Sequence, residues 1–371
     1  MKKSIFGYNV HFINETENLS IESFINLYPS ENIDNKKKVE LIISNQVYPC
    51  EVILRNPQKF NLHKKGFSFF LSEGLKIHWD LSKIEEDKIT IYLYINEKKG
   101  KLISFIKKFL SKSYESLYDS LGCFLHELVL VPLTFLFQDK VIVHGCSFYN
   151  IKAQKSIIIG GTGGVGKTSI SLEIGRNKDW VFLSDDMTVI DATGKIYPNY
   201  AFPKFFGYNT LTDKAVEKKV LSEFGILNKI HWNIMKKIRP SNVMRSFSPD
   251  KWFFVQSMNP ELDYFCLLLR GNFPKQVDIQ LLELMKCVFS NETNIFSEYY
   301  AFLNIIRWYE YNIIHTKEEA IITVKKIIKN YQKIYKNIFS KSNNFSLNVS
   351  NDAESSYFQK KITSILSELI Q

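Results

Sequence analysis

The chain lacks every short cysteine spacing that chelates a metal or builds a disulfide framework. Its five cysteines, Cys50, Cys123, Cys146, Cys266 and Cys287, are far apart, and their number is odd. Neither a disulfide framework nor a zinc site is therefore expected. The thiols read as mostly buried and free, as suits a reducing compartment. Long hydrophobic runs are missing too. The most apolar stretch, residues 128–137, falls short of the roughly 20 residues that span a bilayer, and Pro132 interrupts it. Asn9, His11 and Asn14 break up the segment behind Lys2 and Lys3, so no signal peptide is read there. No internal repeat occurs. A soluble, cytoplasmic protein with no membrane span is the expectation.

What is present is ordinary globular material: 371 residues, 45% hydrophobic and 23% charged, which argues against wholesale disorder. Lys and Arg number 48 against 38 Asp and Glu, so the net charge is 48 − 38 = +10. Such a surplus suits an acidic partner, whether nucleotide, peptide, nucleic acid or membrane surface, and does not choose among them.

Periodicity divides the chain into a β-rich region over 1–112, a mixed α/β core over 113–315 and a helical extension over 316–371. In the first, segments 38–43, 51–54, 67–71, 75–79 and 89–95 read as strands, the last apolar enough to be buried on both faces. Helical spacing follows over 102–110 and 117–131. The strands at 141–144 and 156–159 are joined by too short a connection for a parallel crossover, which predicts an antiparallel hairpin. Beyond them the pattern predicts a helix at 168–174, a strand at 180–183, a hairpin around Thr193-Gly194 and helical, lysine-rich sequence over 211–238. A buried strand at 264–269 and helices at 278–288, 297–308, 317–339 and 357–370 complete the reading. Residues 340–356, rich in Ser and Asn, read as a mobile linker.

One motif carries chemistry. Gly161-Thr162-Gly163-Gly164-Val165-Gly166-Lys167-Thr168 is an uninterrupted phosphate-binding loop, with a strand before it and a helix, opening at Ser169, after it. Its glycines admit left-handed backbone, so that successive N–H groups can turn toward phosphate oxygens, and the helix adds its N-terminal dipole. Lys167 is placed for the β- and γ-phosphates of ATP, and the Thr168 hydroxyl for Mg2+. Next, Asp185 and Asp186 follow the strand at 180–183, 185 − 167 = 18 residues after the lysine. Adjacent carboxylates repel unless a cation or separate surroundings relieve them. Beside a phosphate-binding loop the cation is Mg2+, with one carboxylate free to accept a proton.

The run His144-Gly145-Cys146, the loop with its flanks (SIIIGGTGGVGKTSISLEI) and the segment VFLSDDMTVI together resemble the kinase domain of HPr kinase/phosphorylase. That family shares a nucleotide-binding core with phosphoenolpyruvate carboxykinase. The nearest likeness is to the HPr-kinase-like serine kinases of bacterial gene clusters, such as the lasso peptide kinases. The likeness is clear over 141–196 and weaker to about residue 310. The resemblance implies a phosphoenolpyruvate-carboxykinase-like α/β core, ATP and Mg2+ as cofactors, and a serine hydroxyl of a peptide or protein as acceptor. It also implies roles: Lys167 on the phosphates, Asp185 as base, Thr168 and Asp186 on the metal, and His144 in the place of an active-site histidine. The glycine-rich signature of the true HPr enzymes is missing after Asp186, so HPr itself is not the expected acceptor.

Further candidates are basic and aromatic. Lys204, Arg239, Arg245 and Arg270 read first as solvated surface charges; of the four, Arg270, directly after a buried strand, is the best placed to serve the transferring phosphoryl group. Aromatics from Tyr197 to Tyr208, punctuated by Pro198 and Pro203, suit a substrate groove or a core. The lysines between 321 and 341 suit a solvated helix face better than a nucleic-acid surface. Two other classes stay open on the residues alone: a kinase for a sugar or amino-acid hydroxyl, and a nucleotide-binding regulatory or assembly protein. A homo-oligomer is also left open.

Overall fold

A computed structural model describes residues 1–16, 20–31, 35–56, 59–72, 74–96, 106, 108–115, 121–210, 214–273, 277–313, 322–351 and 355–370. The fold is mixed α/β, built on two large sheets. Eight strands form the first: β1 (Lys2–Ile5), β2 (Tyr8–Asn14), β3 (Lys38–Ser44), β4 (Leu54–Asn56), β5 (Phe60–His63), β6 (Gly66–Ser72), β7 (Leu75–Asp80) and β8 (Lys88–Ile95). Their spatial order is β1-β2-β3-β8-β7-β6-β5-β4, with β2, β3 and β8 parallel and the rest antiparallel.

Two expectations for this sheet are corrected. In β8 only Ile89, Ile91, Leu93 and Ile95 are buried, while Lys88, Thr90, Tyr92 and Tyr94 are partly exposed, so the strand has one core face. The tyrosine hydroxyls and Thr90 let that second face meet water despite its apolar look. The strand expected at 51–54 begins only at Leu54, because the segment before it crosses the sheet as a loop. Phe67 and Trp79 on the core face pack edge-on against Phe302 of the Tyr300–Asn312 helix. Buried side chains of both sheets thereby join in one continuous core.

The second sheet carries the phosphate-binding loop. Its strands are β9 (Lys140–Asn150), β10 (Lys155–Gly160), β11 (Trp180–Ser184), β12 (Met187–Asp191), β13 (Ile196–Tyr197), β16 (Phe254–Val255), β17 (Tyr264–Gly271), β18 (Val277–Leu281) and β19 (Asn343–Ser350). A separate ribbon pairs β14 (Lys204–Phe206) with β15 (Met244–Ser246). The main path runs β13-β12-β9-β10-β17-β19-β18. The expected hairpin is there: β9 and β10 are antiparallel, from Lys155 opposite Asn150 to Gly160 opposite Gly145. β10, β17 and β19 run parallel. β9 is long enough to pair with β11 along one half and β12 along the other, so β11 and β12 read as one extended strand broken at Asp185–Asp186.

Two segments differ from their sequence reading. Residues 343–350 are no linker but β19, between β17 and β18. In NNFSLNVS the residues Phe345, Leu347 and Val349 alternate with polar ones and all three are buried. Period two outweighs a polar composition when neighbours cover both sides. Residues 277–281 likewise alternate, in VDIQL, and form the edge strand β18 where a helix was expected; the helix starts at Leu284. It runs Leu284–Glu298, and a break at Tyr299 separates it from Tyr300–Asn312. The Val324–Lys341 helix buries Ile327, Tyr331, Ile334, Tyr335 and Ile338 and leaves Lys325, Lys326, Lys329, Lys333 and Lys336 exposed, a solvated face. Thr323 caps it by accepting from the Lys326 amide at 3.1 Å. The expected helix residues at 102–105, 107, 117–120 and 317–321 lie outside the described residues. Among the described residues no helix is long and apolar enough to cross a membrane.

Candidate phosphate-binding and carboxylate site

β10 is buried from Ser156 to Gly160, where it ends, so the loop that follows emerges from the middle of the sheet. At Gly161 φ is +149°, and an added Cβ would lie 2.8 Å from the Leu268 carbonyl of β17. Glycine is required there, because the chain turns against its neighbour with no room for a side chain. The loop then divides its residues. Val165 is buried beneath it. Thr162, Gly163, Gly164, Gly166, Lys167, Thr168 and Ser169 line a cleft of about 410 Å3. Gly163 and Gly164 face open space, and Gly166 holds φ +110° as the Lys167–Ile174 helix begins. Lys167 folds back over the loop and donates to the Gly161 carbonyl at 2.6 Å.

The acidic pair faces this loop across β9. The break between β11 and β12 lies opposite Gly145, whose N–H donates to the Asp186 carbonyl at 2.8 Å. Asn199 bridges both sides of the break: its N–H donates to the Leu183 carbonyl and its side-chain amide to the Met187 carbonyl, each at 2.8 Å. Thr188 adds a bond to the Gly145 carbonyl at 2.8 Å, and Ser184 bonds to Ser147 at 2.7 Å. These bonds fix the backbone on both sides of the break from which the two carboxylates project.

Two predicted residues converge on Asp186. Its Oδ1 lies 3.2 Å from His144 Nε2 and 3.8 Å from Lys167 Nζ. Burial alone would raise its pKa, but the hydrogen bond and charge of His144, then Lys167 and Lys204, lower it to about 2. The carboxylate is nevertheless 60% accessible, open to the cleft from which a cation would arrive. Asp185 differs. Burial, followed by the charge of Asp186, pushes it up to about 7, and its Oδ1 is buried with no hydrogen-bond partner. Two adjacent carboxylates in opposite protonation regimes can divide two jobs between them.

The remaining candidates separate cleanly. Lys204 lines the cleft, paired with Glu127. Burial works against its charge, but Glu127 outweighs that and the pKa is raised. Arg270, the best placed of the four in the sequence reading, reaches the Asn351 carbonyl at 3.4 Å and is not part of the cleft lining. Arg239 is exposed. Arg245 is fully buried and donates to Asn228 and His231. Of the aromatics, Phe202, Phe206 and Tyr208 line the cleft, whereas Tyr200 and Phe205 belong to the core.

Sequence reasoning missed Glu127, His126, Asn199 and Asn209. Asn209 donates to Ser169 Oγ at 3.2 Å, and all four line the cleft. They come from separate segments with no shared motif, so no spacing could have gathered them. Glycine cradle, lysine, hydroxyls and an orphaned buried carboxylate oxygen fit a magnesium–nucleoside triphosphate: donors for phosphate on one wall, acceptors for a cation on the other. A scan of the chain against protein-family models gives no match, and a search of curated proteins gives none either.

Proposed function

We propose that the chain is an ATP- and Mg2+-dependent kinase with a phosphoenolpyruvate-carboxykinase-like core, transferring the γ-phosphate to a hydroxyl, the serine of a peptide or protein. One observation carries the reading: the phosphate-binding loop and the Asp185–Asp186 break face each other across β9, with Lys167 and His144 both directed at Asp186. A glycine-rich turn of no function has no need of an adjacent carboxylate pair at its mouth, one half-buried and one open to the cleft.

The residues take separate parts. Amides of Gly163, Gly164 and Gly166 and the Lys167 ammonium bind phosphate oxygens. Thr168 and Asp186 would hold the metal, and His144 fixes the orientation of Asp186. Bound Mg2+ supplies neutralising charge on the β- and γ-phosphates. Asp185, which lines the cleft and whose carboxyl burial pushes up to about 7, accepts the proton of the attacking hydroxyl. Lys204, held charged by Glu127, adds positive potential where the transferring group gathers negative charge.

The acceptor rests on the resemblance to serine kinases, on the +10 balance, which draws acidic polypeptides, and on Phe202, Phe206 and Tyr208 flanking the cleft. The test is γ-labelled ATP with peptides encoded nearby and with lysate, followed by mass spectrometry of the labelled species. Phosphoserine on a polypeptide is the expected outcome. Label confined to a sugar or amino acid would overturn the acceptor, and nucleotide binding without any transfer would overturn the kinase.

A further inference from the structure

Outside the cleft, the first sheet gathers a second chemical cluster. Ser68 of β6 stands directly opposite His78 of β7 on one side and Asn61 of β5 on the other. His63 lies two residues beyond Asn61, so all four side chains share one face of the sheet. The other face carries Phe67 and Trp79 against the Tyr300–Asn312 helix. Over the polar face runs the loop between β3 and β4. Tyr48 of that loop stacks on Tyr92 with ring centroids 3.8 Å apart, and on His78 at 4.8 Å.

Two residues further on, the loop turns Cys50 inward. Its Sγ lies 3.6 Å from His63 Nε2 and 4.0 Å from His78 Nδ1. The three ligand atoms lie within 4.8 Å of one another. Ser68 Oγ sits between the rings, 2.8 Å from His63 Nε2 and 3.0 Å from His78 Nδ1. The second nitrogen of His63 is 2.8 Å from the Glu51 carbonyl, which can only accept. Nδ1 therefore carries the proton, and Nε2 turns its lone pair toward Cys50 and Ser68. Both histidines are buried, and so is the Asn61 side-chain oxygen, which has no hydrogen-bond partner.

We propose that Cys50, His63 and His78 bind a zinc ion, with the Ser68 hydroxyl at the fourth position. With Zn–S about 2.3 Å and Zn–N about 2.0–2.1 Å, a tetrahedral ion sets its sulfur and nitrogen ligands about 3.6 Å apart. The two sulfur–nitrogen distances are 3.6 and 4.0 Å, and all three ligand atoms lie within 4.8 Å of one another, whereas two nitrogens on a tetrahedral ion stand about 3.3 Å apart, so the two imidazoles must draw together as the ion binds. One thiolate with two imidazoles is a donor set for a borderline-soft cation rather than for Mg2+ or Ca2+. The backbone carbonyl behind His63 is the outer partner that metal-bound histidines use. Bound there, the ion pins the loop between β3 and β4 to β5 and β7, a structural cross-link far in sequence from the kinase motifs. The proposal runs against the expectation from cysteine spacing. The gaps, 63 − 50 = 13 and 78 − 63 = 15 residues, contain no short chelating pair, and only strand pairing brings the ligands together.

The test uses the full chain stripped with a chelator. Titration with Co2+ should saturate at one equivalent, with the near-ultraviolet sulfur-to-cobalt charge-transfer band and the intense visible bands of tetrahedral coordination. Zn2+ should then displace the cobalt. Cys50→Ser should remove the charge-transfer band and weaken Zn2+ binding at least about 100-fold, more than the loss of an outer partner costs. Because a variant can fail by misfolding, the unsubstituted chain supplies a second readout: Zn2+ should protect Cys50 from alkylation, read by peptide mass spectrometry. Absence of stoichiometric binding would leave only a hydrogen-bonded cluster and overturn the proposal. So would cobalt bound without the thiolate band, which would place the ion on carboxylates elsewhere.

Discussion

The Gly145 amide donates to the Asp186 carbonyl over 2.8 Å, and this bond ties the acidic break to the strand that forms a hairpin with the loop-bearing β10. Gly145 has no space for a side chain: an added Cβ would stand 2.6 Å from the Ile159 carbonyl and 3.0 Å from Gly160 Cα. Both neighbours are backbone and cannot swing aside. Gly145→Ala should therefore push β9 and β10 apart just where loop and aspartates are registered. A stability loss of about 1–3 kcal/mol is expected from overpacking, together with weakened ATP binding. Urea denaturation and nucleotide titration of the same preparation check both, and an unchanged pair of values would show that β10 yields without cost.

The two aspartates should separate functionally. Asp186→Asn removes the charge that His144 and Lys167 surround, so it should raise the Mg2+ concentration needed for turnover while ATP still binds. Asp185→Asn should leave Mg2+–ATP binding nearly intact and abolish transfer, since an amide cannot take the proton. Lys167→Ala should weaken triphosphate binding and stop transfer. Steady-state kinetics across Mg2+ concentrations, beside equilibrium binding of ATP, distinguishes the three. Exchanged phenotypes would swap the roles of base and metal ligand.

Legibility in the sequence followed the range of the interactions. The hairpin, the loop, the following helix and the acidic pair could be read because each is local: Gly161 to Asp186 is one stretch of chain whose spacing reports its geometry. Glu127 and Asn199 could not be read as cleft residues, because the helical turn His126–Leu130 and the bridge of Asn199 to Ser184 deliver them from outside that stretch. Arg270 is exposed, as its first reading expects, and that Lys204 rather than Arg270 lines the cleft was hidden for a similar reason. Following a buried strand places Arg270 near the sheet end, but the direction of its side chain depends on Asn351, which β19 brings alongside. β19 itself was hidden by weighing Ser and Asn content above alternation, although Phe345, Leu347 and Val349 keep strict period two.

His126 should make stability depend on pH. It is fully buried, its Nδ1 is 2.9 Å from the Gly122 carbonyl, and its Nε2 is 3.0 Å from the Tyr28 hydroxyl. Burial lowers its pKa from 6.5 to about 4, the Gly122 bond working against that. Between those values the unfolded chain binds a proton and the folded chain does not. The contribution is thus complete above about pH 6.5 and is lost as pH falls toward 4, at up to about 1.4 kcal/mol per pH unit. His231 is shifted the same way and adds to the trend. His126→Gln should flatten the slope of unfolding free energy between pH 6.5 and 5 by up to one proton, whatever its stability at pH 8. An unchanged slope would mean that His126 is already protonated in the fold.

Tyr28 should be the residue through which the N-terminal region shapes the cleft. Its hydroxyl accepts from the Tyr200 amide at 2.9 Å and lies 3.0 Å from His126 Nε2 and 3.4 Å from Asn199 Oδ1. Since Nδ1 of His126 gives its proton to Gly122, Nε2 is the acceptor, and the tyrosine proton goes there. One oxygen thus satisfies a buried donor and a buried acceptor on two different walls. Asn199 and His126 both line the cleft, and Asn199 also bridges Leu183 and Met187 around the acidic pair. Tyr28→Phe deletes the oxygen, keeps the ring against Tyr200, and strands the Tyr200 N–H and His126 Nε2 without partners. A stability cost of about 1–3 kcal/mol is expected, the penalty for a buried polar group left unsatisfied. On the proposed kinase reading transfer should suffer as well, through loosening of Asn199: kcat should fall more than ATP affinity, because the Gly161–Thr168 loop is not touched. The two effects separate on one variant, by urea denaturation and by kinetics at saturating ATP. A loss of stability with kcat unchanged would make Tyr28 a purely structural bolt between the N-terminal region and the core.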